Sequence, residues 1–425
     1  MNERIVAGVD IGTTKVCAVI AAQDDLGQIN ILGMGLANSE GLNRGVVVNI
    51  DRTVAAVQKA MGEAEHMAGV QVSKVIVGIA GDHIDSEQSR GIISISNPEG
   101  EITQTDVSRL IEESTKIAMP ADREILHVIP QEFIVDGQDG VADPVGMSGV
   151  RLEANVHIIT GLVSAVKNVY RCIEKAGYGV ADIVLEPLAS SYAVLHADEK
   201  EIGVAIIDIG GGTTDIAVFE DNTIRHTAVI AIAGNKVTED IRHGLGVLRS
   251  QAEELKQQFG ASVVDMVPSN EVIAIPGIGG RGEKEINRSA LAQIIQPRVE
   301  EILDFATIEI ERAFGRQLSA GVVLTGGGSL IPGIDVLASE ILGCEARIGV
   351  PIGLAGGLSD KVHDPKYATG VGLVLYGLQP EAIGGSPFAD DMGQRDMPRD
   401  EREAIPGENV VSRISDRMKR WFDEL

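Results

Sequence analysis

The chain has 425 residues, 44% of them hydrophobic and 23% charged, as in ordinary folded proteins, and its length predicts roughly two or three domains with their own cores. Asp and Glu outnumber Lys and Arg by 62 to 36, and the resulting net charge of −26 disfavours nucleic acid as a partner. Cys17, Cys172 and Cys344 are scattered without CxxC spacing, no apolar run approaches the roughly 18 residues that cross a bilayer, and MNERIVAGVDIG lacks an export signal, so the expectation is an intracellular chain without disulfides or zinc whose membrane contact is peripheral.

Residues Ile5–Ile11, Lys15–Ala22 and Ile29–Leu36 read as three strands joined by tight turns, an antiparallel beginning. Helical spacing follows over Asp51–Ala68, then an apolar strand over Val75–Gly81. From about 84 to 160 a separate α+β unit is expected, with strands at Gly91–Ile95, Glu124–Val135 and Glu153–Ile159 and a helix at Thr105–Ala118. Val163–Ala176 reads as a helix ended by Gly177, Val180–Leu185 as a strand, and Pro187–Leu195 as a helix with proline in its first turn. Val204–Ile209 then opens a second half that repeats the first: VAGVDIGTTKVCAVI and AIIDIGGGTTDIAVF share an apolar strand, Asp, a Gly/Thr turn and a second apolar strand. Helices at Asn235–Gly244 and Leu248–Phe259, a hairpin within Glu271–Asn287, a long helix Ser289–Phe314, a strand Gly321–Thr325 and helices Ile331–Leu342 and Ala368–Leu375 complete the globular part, which closes near Leu378.

Each Asp–Gly–Thr turn gathers backbone N–H groups and hydroxyls around one concavity, the arrangement that phosphate oxygens require. The first turn offers Asp10, Gly12, Thr13, Thr14 and Lys15; the second offers Asp208, Gly210, Gly211, Gly212, Thr213, Thr214 and Asp215. One such turn alone is an ordinary tight turn, whereas a duplicated pair facing each other clamps a nucleoside triphosphate. Asp10 and Asp208 suit Mg²⁺ held through its waters, and Lys15 suits phosphate charge. A third cluster, Gly326, Gly327, Gly328 and Ser329 in LTGGGSLIPG, offers backbone without side chains for the adenosine half. Glu253 and Lys256, three apart on one helix face, suit ribose hydroxyls. Glu186, before Pro187, is the candidate to orient a hydrolytic water; its structural alternative is a helix cap. Gly277, Gly279 and Gly282 spell GxGxxG, but the charged Arg281–Glu285 stretch makes a hairpin tip the better reading than a dinucleotide fold.

Beyond the globular part, 379–409 reads as a flexible acidic linker rich in Pro and Gly. In the last residues, Val411, Ile414, Met418, Trp421, Phe422 and Leu425 fall on one helical face, with Arg413, Arg417, Lys419 and Arg420 on the rest. Such a helix can pack on its own core, fill a partner's groove or lie in an anionic membrane surface. The long tether argues against the first, and the Trp beside local positive charge favours the membrane.

Paired turns, a Glu-Pro connector, a triple-glycine turn and a closing helix resemble the actin and sugar-kinase superfamily, a two-lobed α/β fold with duplicated phosphate-binding hairpins. Within it the chain resembles the FtsA family, on DIGTTK at 10–15, HVIPQEFIVDG at 127–137, RLEANVHIITG at 151–161, DIGGGTTD at 208–215, AEELK at 252–256, LTGGGSLIPG at 324–333 and the amphipathic terminus. The resemblance implies an ATP- or ADP-binding scaffold, at most a weak ATPase, that polymerises at the cytoplasmic face of the bacterial inner membrane at the division site. Its implied partners are the C-terminal peptide of FtsZ, further copies of itself, later division proteins and an anionic membrane surface, with Arg417 and Arg420 among the membrane-facing residues. The implied organisation is a first lobe over 1–202 with an inserted subdomain about 84–160 and a closing helix about 365–378 returning to it. A second lobe over 203–364 carries an outer subdomain about 236–314, followed by a linker 379–409 and a membrane-targeting helix 410–425. A PilM-like adaptor resembles the same fold with a similar insert, but the tethered amphipathic terminus fits it less well; a sugar or carboxylate kinase would need a substrate pocket with a catalytic base, and a chaperone would need a peptide domain after the lobes.

Overall fold

Alternating apolar segments on either side of the two Gly/Thr turns build two sheets, one per lobe. The computed structural model describes residues 4–379 except 98, 99, 276, 278–281 and 315–317. The linker from residue 380, the terminal helix with Val411, Ile414, Arg417, Met418, Arg420, Trp421, Phe422 and Leu425, and Gly279 of the glycine triplet lie outside the described residues.

The first lobe begins with the antiparallel strands β1 (Arg4–Ile11), β2 (Lys15–Gln23) and β3 (Ile29–Asn38). Helix α1 (Ile50–Ala68) follows, capped by the Asn49 side chain and ended by Gly69, and it buries Ala56, Val57, Ala60, Met61 and Ala64. Strand β4 (Lys74–Ile79) then pairs in parallel with β1.

The inserted unit contains β5 (Asp85–Ser94), α2 (Gln104–Ser114), β6 (Arg123–Val135), β7 (Gln138–Val141) and β8 (Arg151–Leu162), its sheet ordered β5-β8-β6-β7. Val107, Leu110 and Ile111 of α2 pack on Leu152, Ala154, Val156 and Ile158 of β8. The expected strand at Gly91–Ile95 is in fact the ten-residue β5. Its polar DSEQSR half lacks apolar alternation but pairs with β8 from Asp85 opposite Thr160 to Ser94 opposite Arg151. Helix α2 ends at Ser114 rather than at Ala118, and β7 was not expected.

The chain returns through α3 (Val163–Ala176), closed by left-handed Gly177, to β9 (Gly179–Leu185), which lies parallel to β4, and then enters α4 (Glu186–Val194). The six-stranded sheet runs β9-β4-β1-β2-β3, with Gly356–Gly357 at its far edge.

The second lobe repeats the scheme with β10 (Val204–Ile209), β11 (Thr214–Glu220) and β12 (Thr223–Ile230). Helices α5 (Gly234–Leu245) and α6 (Arg249–Phe259), the hairpin β13 (Val272–Ile275) and β14 (Lys284–Asn287), and the long α7 (Arg288–Phe314) come next. Strand β15 (Val322–Thr325), α8 (Ile334–Leu342) and β16 (Ala346–Ile348) complete a five-stranded sheet ordered β12-β11-β10-β15-β16. Helix α8 starts three residues later than Ile331 because Pro332 and left-handed Gly333 form its entry turn. Gly277 and Gly282 fall between β13 and β14, the place expected of a hairpin tip.

The final helix α9 (Ala368–Leu378), longer than the expected Ala368–Leu375, crosses α4 and packs on the first-lobe sheet. Backbone meets backbone at that crossing, since a Cβ on Gly372 would stand 1.9 Å from the Ala189 carbonyl oxygen. Arg4, at the start of β1, donates to the Leu378 and Gly377 carbonyls, so α9 ends at the edge of the sheet opposite the Gly/Thr turn.

The inserted unit also touches the second lobe. Along β12, Ser86 donates to the Thr227 carbonyl at 3.0 Å, Gln88 to that of Arg225 at 3.0 Å, and Gln131 to that of Ile224 at 2.6 Å. His157 meets the Thr227 hydroxyl at 2.9 Å. The insert thereby covers a sheet edge that would otherwise present unpaired carbonyls.

Candidate functional site

The two hairpins bring their turns together across the lobes. A Cβ on Gly211 would lie 2.3 Å from Thr14 Cγ2, and one on Gly212 would lie 2.5 Å from Thr13 Oγ1. The first turn thus packs on the second through threonine side chains against bare glycine backbone. Behind each turn an aspartate closes the strand: Asp10 sits opposite Cys17 and Asp208 opposite Asp215 in matching registers.

The turns share an acidic floor. Asp10, Asp208 and Asp215 are 4%, 7% and 3% exposed, and Glu186, partly buried over Gly78, feels all three. Lys15 is the cation among them, its Nζ 3.2 Å from Asp10 Oδ2. Burial opposes its charge, yet Asp10 holds its pKa above the ordinary lysine value. Burial, then the charges of Asp10, Asp215 and Asp208, push the Glu186 carboxyl well up. Burial and Asp208 do the same to Asp215, against the Thr213 hydroxyl that donates to its Oδ2 at 3.0 Å. Burial also raises Asp208, opposed first by the Ser190 hydroxyl.

Four carboxylates around one lysine leave negative charge that neither the fold nor solvent neutralises, a costly state without a cation or protons. Asp215 Oδ1 is buried and has no hydrogen-bond partner among the described residues. Among the described residues no three His, Cys, Asp or Glu side chains are arranged to hold a bare metal ion. A hydrated divalent cation suits this donor set better than a directly coordinated one, because Mg²⁺ keeps several waters.

The remaining expected residues line the second lobe's side. Left-handed Gly326 lies so close to Asp208 that a Cβ would stand 2.2 Å from Oδ1. Gly328 is packed on Ile209 and Ser329 is buried, its hydroxyl donating to the Gly326 carbonyl, whereas Gly327 is exposed and meets nothing within 4 Å. Lys256 donates to the Gly234 carbonyl at 3.1 Å, to Thr238 at 2.9 Å and to Glu253 at 2.8 Å. Gly234 in turn donates to the Gly210 carbonyl of the second turn. Glu253 and Lys256 therefore pair with each other and brace the start of α5 against that turn, while keeping polar atoms at its edge.

Two hydroxyls at the site escaped the sequence reading. Ser190 of α4 and Thr369 of α9 both reach Asp208 Oδ2. No sequence signal marks them, because their partnership with Asp208 depends on helix crossing rather than spacing. A cavity of about 400 Å³ near Leu36, Glu63 and Tyr367 contains none of the expected residues.

A family model described as "Cell division protein FtsA" matches residues 205–372, and one described as "SHS2 domain inserted in FTSA" matches residues 81–160. The chain is similar to the cell division protein FtsA of Pseudomonas aeruginosa, 42% identical over 98% of this chain and 97% of that protein. It is also similar to the FtsA of Neisseria meningitidis, 41% identical over 99% of both. Among solved structures it is similar to the PilM-PilN type IV pilus biogenesis complex, with a TM-score of 0.66 at 16% identity over 88% of this chain and 99% of that one. MreB 5 of Spiroplasma citri bound to AMPPNP gives a TM-score of 0.54 at 15% identity over 88% and 96%, and a MamK double helical filament gives 0.51 at 13% over 88% and 99%. These structural likenesses show the actin-like fold alone.

Proposed function

The chain belongs to the FtsA family of cell-division proteins, and from that premise we propose that it binds ATP with Mg²⁺ between its lobes, polymerises, and ties FtsZ filaments to the cytoplasmic face of the inner membrane. One observation carries the nucleotide reading: duplicated turns, Thr13–Thr14 against Gly211–Gly212, meet across the lobes above buried carboxylates that lack enough positive charge. A triphosphate entering there would part the lobes, since the turns are already in contact. Its phosphates would meet Lys15, Gly12 and the turn amides, Asp10 and Asp208 would hold the hydrated Mg²⁺, and Gly327 would offer open backbone to the adenosine end. Bound Mg²⁺ would neutralise charge on phosphates and carboxylates alike. Glu186 is the carboxyl placed to orient a water. Burial and the neighbouring aspartates raise its carboxyl well above the ordinary range.

The proposed boundaries are a first lobe over 1–202 with the insert about 84–160 and a second lobe over 203–364. The outer subdomain about 236–314 receives the FtsZ C-terminal peptide, and the insert meets later division proteins. The AMPPNP-bound and filamentous neighbours support nucleotide binding and self-association. No described helix is long and apolar enough to cross a membrane, in keeping with peripheral attachment through 410–425. Because α9 ends beside Arg4, the tether would leave on the order of 25 Å from the turns, the length of β1, and clear of the cleft.

The test is co-sedimentation with anionic liposomes in the presence of ATP, comparing the intact chain, a chain ending at Glu408 and Trp421→Glu. The tether reading expects only the intact chain to pellet with lipid. Equal behaviour of all three would overturn it and leave an actin-like adaptor that works off the membrane.

A further inference from the structure

Asp208 belongs to the second lobe, but it is held from the first. Ser190 on α4 donates to its Oδ2 at 2.7 Å, Thr369 on α9 donates to the same oxygen at 3.3 Å, and the two hydroxyls stand 3.1 Å apart. Their exposures are 0% and 7%, so water does not share the contact. The other carboxylate oxygen lies against Gly326, where any side chain would collide with it. One oxygen is thus oriented by hydroxyls of the two crossing helices and the other by bare backbone of the triple-glycine turn, which leaves the carboxylate little rotational freedom.

Hydroxyls buried in a hinge are frequently nothing more than packing that satisfies itself, as Ser191 does by donating to the Leu188 carbonyl one turn back in the same helix. Ser190 and Thr369 differ because both spend their donors on a charged group that reaches them from another lobe. We propose that Ser190 and Thr369 are positioning residues for the divalent cation that accompanies the nucleotide: they fix the Asp208 carboxylate across the lobe boundary in the orientation that receives the hydrated ion. The inference rests on the nucleotide reading above and adds to it a link between hinge and cation. When α4 and α9 shift, the carboxylate shifts with them, so the cation is held well only at one setting of the hinge.

The test measures ATP binding to the full chain by titration calorimetry, once in excess EDTA and once with Mg²⁺ varied, for wild type, Ser190→Ala, Thr369→Val, the double variant and Thr369→Ser. The expected result is a loss of about tenfold or more in apparent Mg²⁺ affinity for each hydroxyl removed, as hydrogen bonds to charged groups imply, while ATP affinity in EDTA stays within about twofold. The double variant should lose less than the product of the singles because the hydroxyls touch each other, and Thr369→Ser should recover most of the loss. Equal weakening with and without Mg²⁺, accompanied by a lower melting temperature of the nucleotide-free protein, would make the two residues hinge packing and overturn the inference. Unchanged Mg²⁺ dependence in a well-folded variant would overturn it too. Wild type that binds no ATP under either condition would overturn the nucleotide reading itself, a result separable from the other two.

Discussion

The crossing of α4 and α9 gives the sharpest prediction, because a glycine there packs on backbone while another helical glycine, Gly62 of α1, faces open space. A Cβ on Gly372 would stand 1.9 Å from the Ala189 carbonyl oxygen and 2.4 Å from its carbon, whereas one on Gly62 of α1 meets nothing within 4 Å. Ordinary contact begins at 3.4 Å, so Gly372→Ala must part the helices by about 1.5 Å against a backbone that cannot rotate away. Overpacking of this kind costs about 1–3 kcal/mol, partly offset by the better helix propensity of Ala, worth about 1 kcal/mol. The same change at Gly62 carries only the propensity gain. Thermal melting of both variants should show Gly62→Ala at or above wild type and Gly372→Ala below it, by up to about 3 °C for a chain of this length. Separating the helices also pulls Thr369 from Asp208, a contact already at 3.3 Å, so Gly372→Ala should weaken Mg²⁺-dependent ATP binding as well. If Gly372→Ala melts with Gly62→Ala, the crossing is not close-packed and the reasoning fails.

The remaining predictions concern titration. Burial and neighbouring charge raise Asp215 and Glu186 well above ordinary carboxyls, so the folded state binds extra protons. Their contribution is full below the unfolded carboxyl range near pH 4 and is lost as pH rises through the raised folded values. Asp215→Asn should therefore stabilise the nucleotide-free protein at pH 7 and flatten its decline as pH rises above the ordinary carboxyl range; a variant less stable than wild type at pH 7 would contradict the charge argument. His157 runs the other way: burial, then the neighbouring His226 and His127, lower it from 6.5 to about 4, so it folds neutral between Gln88 and Thr227. That contribution is present above pH 6.5 and is lost as pH falls toward 4, up to about 3 kcal/mol at the joint between insert and β12. Hydrogen exchange, corrected for its intrinsic pH dependence, should show β12 amides losing protection at pH 5, and His157→Gln should abolish that loss; equal protection at pH 5 and 7 in wild type would refute it.

What could be read from the sequence was local. Both hairpins follow from an apolar strand, a Gly/Thr turn and a second apolar strand, each within about fifteen residues of chain. Helix α3 was bounded by Val163 and Gly177 because Gly177 takes the left-handed cap conformation, at φ 102. What could not be read depended on partners far along the chain. The polar strand β5 becomes a strand only because β8, more than fifty residues later, supplies a full register. The Ser190 and Thr369 contacts with Asp208 join residues 18 and 161 apart, and no periodicity reports such a meeting. The docking of the insert on β12 was invisible for the same reason, since Ser86, Gln88 and Gln131 look like solvated strand residues until an edge arrives to accept their hydrogen bonds.

Duplication gave the site its walls, and divergence within the duplicate gave it direction. The registers align Asp10 with Asp208 and Cys17 with Asp215, which sets Lys15 against Thr213. The first hairpin kept a cation beside its aspartate and placed an apolar thiol beneath it; burial pushes Cys17 up to about 12, so it stays neutral. The second hairpin kept no cation and buried two carboxylates instead. On the proposed nucleotide reading a polyphosphate would be attracted to the wall with Lys15 and would need a divalent cation to approach the wall with Asp208. A symmetric clamp would hold phosphate and cation either way round, whereas this one would admit them in one order only. Because the carboxylate wall is tied by Ser190 and Thr369 to the helices that join the lobes, the pull of the cation on Asp208 is also a pull on the hinge. If the proposed nucleotide and cation bind there, this is a physical route by which they would act as a structural element, setting the angle between the lobes.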